Sequence, residues 1–121
     1  MKFFDSPYYQ QEVADLEFIQ SRVHASYYMM SMMPEDSSYR EEFLHNLYAQ
    51  VEKEQCLFTR LMLDGSQEAK DIMEELEKQA KESGMPPHHS LPTYHMELKT
   101  NIKMELKELT GEDLDIVPEI D

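Results

Sequence analysis

Glu42 and His45 are the pair of residues in this sequence whose types and spacing come nearest to metal chemistry. Three positions apart on a predicted helix, they would supply half of a carboxylate-bridged di-metal site. A complete site needs a second such pair and two more glutamates, and no other histidine follows an acidic residue by three positions. We therefore expect no metal site and interpret the pair as solvated. A metal-binding helical-bundle enzyme, with help from His24 or His95, is kept as an alternative function.

The other reactive side chains do not form a catalytic pattern. His88 and His89 lie between prolines, where two imidazoles can bind zinc weakly but lack the four ligands of a structural site. Cys56 lies within a predicted helix beside Leu57, where a thiol is usually a small, inert apolar side chain. The three glycines are isolated, so they cannot form a phosphate-binding loop. We predict no cofactor and no enzymatic activity.

Length and charge restrict the classes of function. The chain has 121 residues, the size of one domain, which we place at residues 1–111. It carries 25 acidic and 11 basic side chains, a formal net charge of −14. Proteins that bind nucleic acid directly usually present a basic surface to the phosphates. Direct binding to nucleic acid is therefore not expected.

Cysteine usage and hydropathy predict the compartment. One cysteine cannot form an internal disulfide, and the chain does not open with the charged and apolar segments of a signal peptide. The longest apolar runs are a few residues long, whereas a membrane-spanning helix needs about 18. The sequence predicts a cytoplasmic protein without a membrane span.

The composition favours an all-α fold, because Glu, Leu, Met, Lys and Gln are common while Gly and β-branched residues are scarce. Ser6 before Pro7 predicts the start of a first helix, which continues to about Met32. Ser38, with Glu41 three residues later, predicts the cap of a second helix that ends near Gly65. The short connection between these helices predicts a long antiparallel hairpin.

Two shorter helices are predicted to follow the hairpin. Ser66 caps the first, from Gln67 to about Ser83, and Gly84 is suited to end it. Residues 85–92 contain three prolines and are predicted to be an irregular connector. Thr93 then caps a fourth helix to about Leu109, which Gly111 closes.

Residues 112–121 form an acidic segment, which we predict to be a flexible tail. It carries five acidic side chains and no basic ones. The acidic residues alternate with aliphatic residues such as Leu114, Ile116 and Val117. Such a composition stays disordered alone but can dock on a basic, apolar groove of a partner. A frayed acidic terminus explains the pattern equally well, so both interpretations stay open.

Two groups of apolar residues are candidates for binding a partner. Methionine adapts to irregular surfaces and tyrosine combines contact area with a polar tip, so a cluster of both suits an interface. The cluster near the end of helix one consists of Tyr27, Tyr28, Met29, Met30, Met32 and Met33. Helices three and four could instead cover it as core. Phe3 and Phe4 either staple the first helical turn or anchor the chain on a neighbouring protein.

The opening Phe-Phe-Asp-Ser at residues 3–6, followed by Gln-Gln-Glu at 10–12, resembles a small helical family of unknown function from cyanobacteria and cyanophages. The resemblance continues at residues 58–63, 69–85 and 104–106, and departs at residues 7–9 and at the proline and histidine loop. It implies an all-helical intracellular protein of a photosynthetic cell, located in the host cytoplasm if a phage encodes it. No catalytic residues or cofactor are established for this family, so the resemblance assigns none to this chain.

These observations predict a non-enzymatic protein–protein interaction module that binds or modulates a cytosolic host protein and forms a homo-oligomer. The absence of a catalytic set and the Met and Tyr cluster are its main support. As an alternative, the acidic surface could mimic nucleic acid and inhibit a DNA- or RNA-binding protein.

Overall fold

The computed structural model describes residues 6–111, which form four α-helices: α1 (Pro7–Met32), α2 (Ser37–Asp64), α3 (Gln67–Glu82) and α4 (Leu91–Thr110). The predicted all-α class is confirmed. Residues 1–5 and 112–121 lie outside the described residues, and with them the predicted acidic tail. Within residues 6–111, no helix is both long and apolar enough to span a membrane.

Two of the predicted helix caps are confirmed. The Ser6 hydroxyl accepts hydrogen bonds from the backbone N–H groups of Tyr8 (3.1 Å) and Tyr9 (3.3 Å). The Ser66 hydroxyl accepts one from the N–H of Ala69 (3.1 Å). These bonds satisfy N–H groups that a helix leaves free in its first turn, so both helices begin where the sequence indicates.

The other two predicted caps are wrong. Asp36, not Ser38, caps α2, and its carboxylate accepts from both the N–H (3.0 Å) and the hydroxyl (2.7 Å) of Ser38. Ser90, not Thr93, caps α4 and accepts from the N–H of Thr93 (3.4 Å). In each case the predicted cap is a donor in the first turn. Pro92 is therefore helical rather than part of the connector, because proline is tolerated in the first turn.

Helices α2, α3 and α4 end at glycines with positive φ or just before one. Gly65 (φ 72°) and Gly111 (φ 79°) adopt the left-handed conformation and close α2 and α4. Gly84 (φ 122°) follows the end of α3, and the N–H of the next residue, Met85, donates to the carbonyl of Ala80 (2.9 Å). This turn places Met85 in the core, where it is almost fully buried.

Helix α2 is the centre of the molecule and packs against the other three helices. It shares one core cluster with α4, formed by Leu44, Val51, Ile102 and Leu106. A second cluster joins it to α3 through Leu57, Leu61 and Ala69, and a third contains Phe58, Met85 and Leu91. The buried core is therefore built by α2, α3, α4 and the connector.

Helix α1 contributes Ser26 as its buried residue and otherwise packs with half-buried side chains. The Ser26 hydroxyl donates to the carbonyl of Arg22 (2.8 Å) and accepts from the amide of buried Asn46 (3.3 Å). Near the other end of α1, Lys53 of α2 pairs with Glu12 (3.2 Å) and Asp15 (3.6 Å). Residues late in α1 therefore contact residues early in α2, and residues early in α1 contact residues late in α2.

Candidate functional site

The predicted Met and Tyr cluster lies on the surface. Tyr27, Tyr28, Met29, Met32 and Met33 are exposed, with Tyr28 62% and Met32 60% accessible, whereas Met30 is half-buried. We call these six residues the Met/Tyr surface. The interpretation that helices three and four cover the cluster as core is wrong for the five exposed residues.

The Met/Tyr surface lies at the end of α1, where α2 is its close neighbour among the described residues. The Tyr27 ring meets Phe43 of α2 edge to face, with centroids 5.6 Å apart. Helix α3 packs near the opposite end of α1, against Tyr9 and Leu16. Residues 25–34 contain no charged side chain, although the whole chain has a net charge of −14. The result is an exposed apolar patch of the kind that proteins use for association.

The remaining predicted partner-binding residues lie outside the described residues: Phe3, Phe4, Leu114, Ile116 and Val117. The end of α4, after which the tail begins, is nevertheless among the described residues. Arg40, in the first turns of α2, pairs with Glu105 of α4, and Leu44 packs with Leu106. Helix α4 therefore ends beside the start of α2, at the end of the molecule that carries the Met/Tyr surface.

The candidate metal ligands are not brought together. His45 lies 3.9 Å from Glu41, one turn earlier on α2, and both side chains are about half exposed. Glu42 and His24 are exposed, whereas His95 is buried in α4. Among residues 6–111, no group of three or more His, Cys, Asp or Glu side chains could hold a metal ion.

Cys56 and the His88–His89 pair do not form a catalytic arrangement either. Cys56 is exposed on α2, and its inert character stays a prediction. The His88 and His89 rings meet edge to face with centroids 4.7 Å apart. His89 also lies 3.4 Å from the Glu97 carboxylate of α4, a contact that attaches the connector to this helix.

A cavity between the four helices is the feature that sequence reasoning missed. It has a volume of about 440 Å³ and receives side chains from every helix. We call it the four-helix cavity. Its apolar lining includes Leu16, Leu47, Leu57, Leu76, Leu91 and Leu98. Its polar lining includes Gln20, Gln50, Glu54, Gln79 and His95. No lysine or arginine is among the described residues that line it.

Burial changes the ionisation of two groups in this cavity. Burial raises the pKa of the Glu54 carboxyl, and a hydrogen bond from the Gln50 amide (3.3 Å) opposes this change only in part. Burial also lowers the pKa of the His95 imidazole, with a further contribution from the positive charge of Lys99. The cavity thus combines a carboxyl group in a partly desolvated position with a neutral histidine.

The cavity has a weak signature in the sequence. Leu47, Gln50, Glu54 and Leu57 are spaced by three, four and three positions, so they form one stripe of α2. Gln20 likewise interrupts the apolar stripe of α1. Polar residues inside such stripes are the signal that could have indicated a shared polar cavity, but only the packing of the helices brings them together.

Comparison with known proteins gives no match, because no protein-family model, curated protein or solved structure is significantly similar to this chain. The Met/Tyr surface and the four-helix cavity are therefore the two features of the chain from which a function can be inferred.

Proposed function

We propose that this protein is a non-enzymatic helical interaction module that binds another protein through the Met/Tyr surface. The observation that carries the proposal is the exposure of Tyr27, Tyr28, Met29, Met32 and Met33 on a stretch without charged residues. Apolar surface in water is unfavourable, and its removal from water is the main favourable contribution to most protein association.

The shape supports the same role. We propose that α1 and α2 form a long antiparallel hairpin with the Met/Tyr surface at its tip. The contacts of Lys53 with Glu12, and of Asn46 with Ser26, are in the order that such a hairpin requires. Flexible methionines at this tip can adapt to a groove or to a second helical surface.

The partner we propose is a cytosolic protein of the host cell. This proposal rests on the resemblance to the cyanobacterial and cyanophage family. We therefore also propose that the protein is located in the cytoplasm, and in the cytoplasm of the host cell if a phage encodes it. Phe3 and Phe4 and the tail residues Leu114, Ile116 and Val117 are proposed as further contacts. We also propose that the protein forms a homo-oligomer through the same surface.

The test compares two sets of exposed methionines. The first variant combines Met29→Ser, Met32→Ser and Met33→Ser; the control combines Met62→Ser, Met96→Ser and Met104→Ser, which are also exposed. Both variants remove three exposed methionines, so they differ in place rather than in chemistry. Partner capture from a cyanobacterial lysate and the mass in solution by light scattering are measured for each, with helicity by circular dichroism.

We expect the first variant to lose partner capture and self-association while it keeps its helicity, and the control to retain all three. Equal loss in the two variants would show general stickiness of exposed methionines and would contradict the proposal. Capture that disappears at moderate salt in the unmodified protein would favour the nucleic-acid mimic instead, because exposed charges are screened whereas apolar contacts are not.

A further inference from the structure

The four-helix cavity shares no residue with the Met/Tyr surface. A ligand bound in the cavity would therefore be independent of the proposed protein-binding function. Its volume of about 440 Å³ lies within the range of about 300–1,000 Å³ that is usual for small-molecule sites. Six leucines make most of its wall apolar, and a few polar side chains converge in it. A mostly apolar wall with a few polar side chains is the composition usual for ligand-binding pockets.

Glu54 gives the cavity its electrostatic character. It is the carboxylate among the described residues that line the cavity, and these include neither lysine nor arginine to neutralise it. Its hydrogen bond from Gln50 is long, at 3.3 Å, and brings no positive charge. A partly desolvated carboxylate without a counter-ion is unfavourable, so a cation that reaches Glu54 would recover free energy.

His95 provides a second, independent indication that the cavity binds a ligand. Its side chain lines the cavity and is 4% exposed, and its Nδ1 atom is buried without a hydrogen-bond partner among the described residues. Buried polar atoms are nearly always hydrogen-bonded, so an orphaned one points to a missing partner. A neutral imidazole does not supply the positive charge that Glu54 lacks, but it can form a hydrogen bond with a ligand head group.

We infer that the four-helix cavity binds a small amphiphilic ammonium compound. Its ammonium group would contact the Glu54 carboxylate, with Gln50 and His95 available as hydrogen-bonding groups, and its hydrocarbon part would lie against the leucine wall. An anionic compound is disfavoured by Glu54. A bare metal ion is disfavoured because the described residues offer no cluster of ligands for it.

Hexylammonium is the probe, with 1-hexanol and hexanoate as ligands of the same chain length but different head groups. Binding to the full chain is measured by calorimetry and NMR titration at neutral pH. Glu54→Gln is the test variant, and Glu42→Gln is its control, since it makes the same charge change on an exposed part of α2. The variant Met29→Ser, Met32→Ser, Met33→Ser reports on binding at the Met/Tyr surface.

We expect one hexylammonium per chain, bound roughly tenfold or more tightly than 1-hexanol, because a charge-assisted hydrogen bond contributes about this much. Glu54→Gln should remove that preference without loss of thermal stability, whereas Glu42→Gln and the methionine variant should retain it. NMR shifts in the unmodified protein should include His95 and the leucines of the cavity.

Four results would overturn the inference. The first is that hexylammonium does not bind. The second is that 1-hexanol binds as tightly as hexylammonium, which would leave an apolar cavity without recognition of the head group. Glu54→Gln and Glu42→Gln weaken binding equally, which would indicate general attraction to an acidic protein. The methionine variant abolishes binding, which would place the probe on the Met/Tyr surface. In the last case the proposed protein-binding role would still stand.

Discussion

The two halves of α1 have different surroundings, although their sequences are similarly apolar. In the first half, Tyr9 and Leu16 pack against the cluster that α2 forms with α3, and Glu12 pairs with Lys53. In the second half, α2 is the close neighbour and the Met/Tyr surface remains exposed.

Helix lengths explain this difference. Helix α3 begins directly after α2, at the end where the first half of α1 lies, and it has 16 residues against 28 in α2. At about 1.5 Å per residue, α3 spans roughly 24 Å and α2 roughly 42 Å. Helix α3 is therefore too short to reach the far end of α2. Helix α4 does lie at that end, where Glu105 pairs with Arg40, but it packs against α2. The Met/Tyr surface thus lies beyond the end of α3.

The largest expected effect compares one large apolar side chain at each end. Leu61 is fully buried at the covered end, so Leu61→Ala should lower the free energy of unfolding by about 2–5 kcal/mol. Met32→Ala at the uncovered end should change it by less than about 0.5 kcal/mol. Urea denaturation measures both. Similar losses for the two variants would mean that Met32 is covered in solution, for example by a second copy of the chain.

A smaller effect is expected at the polar contact that holds the uncovered half of α1. Ser26→Ala removes the acceptor of the buried Asn46 amide, so we expect a loss of about 1–3 kcal/mol. Ser21→Ala, at an exposed position of the same helix, is the control. Denaturation gives the loss, and hydrogen exchange should show that α1 is more affected than α4. A loss spread evenly over all four helices would contradict this local role.

The smallest effect concerns Glu54, in the cavity between the two regions. Since burial raises its pKa, the folded state holds this proton more tightly than the unfolded chain, and the free energy of unfolding decreases as pH rises through the folded-state pKa. Glu54→Gln should therefore stabilise the protein at neutral pH. The gain should disappear below the ordinary carboxyl pKa of 4.5.

Thermal denaturation from acidic to neutral pH measures this difference. Glu42→Gln should give only a small change at every pH, because Glu42 is exposed. A stabilisation by Glu54→Gln that persists at acidic pH would mean that the effect comes from packing rather than from ionisation.

The four helices were predictable because their signals are local. Ser6 with Pro7, Ser66 and Gly111 act on backbone groups within one helical turn, so the residues alone place these helix ends. Where two capping residues lie close together, the local signal is ambiguous. Asp36 and Ser38, or Ser90 and Thr93, could each cap a helix, and the structure uses the earlier residue of each pair.

The candidate sites depend on contacts between residues far apart in the chain. Leu61 and Met62 are adjacent and both apolar, yet Leu61 is fully buried and Met62 is 53% exposed. Periodicity predicts that one face of α2 is apolar, but it does not say how much of each face α1, α3 and α4 cover. For this reason the sequence left open whether the Met/Tyr surface is exposed.

Composition, charge and local spacing alone determined the helical class, the approximate bounds of the helices and the residues that make up the Met/Tyr surface, because these properties depend on neighbours within one or two turns. Tertiary structure decided that this surface is uncovered, and that Glu54 and His95 line one cavity. The physical reason is that burial is a property of the packed helices: it raises the pKa of Glu54 and lowers that of His95 only after four separate segments have come together.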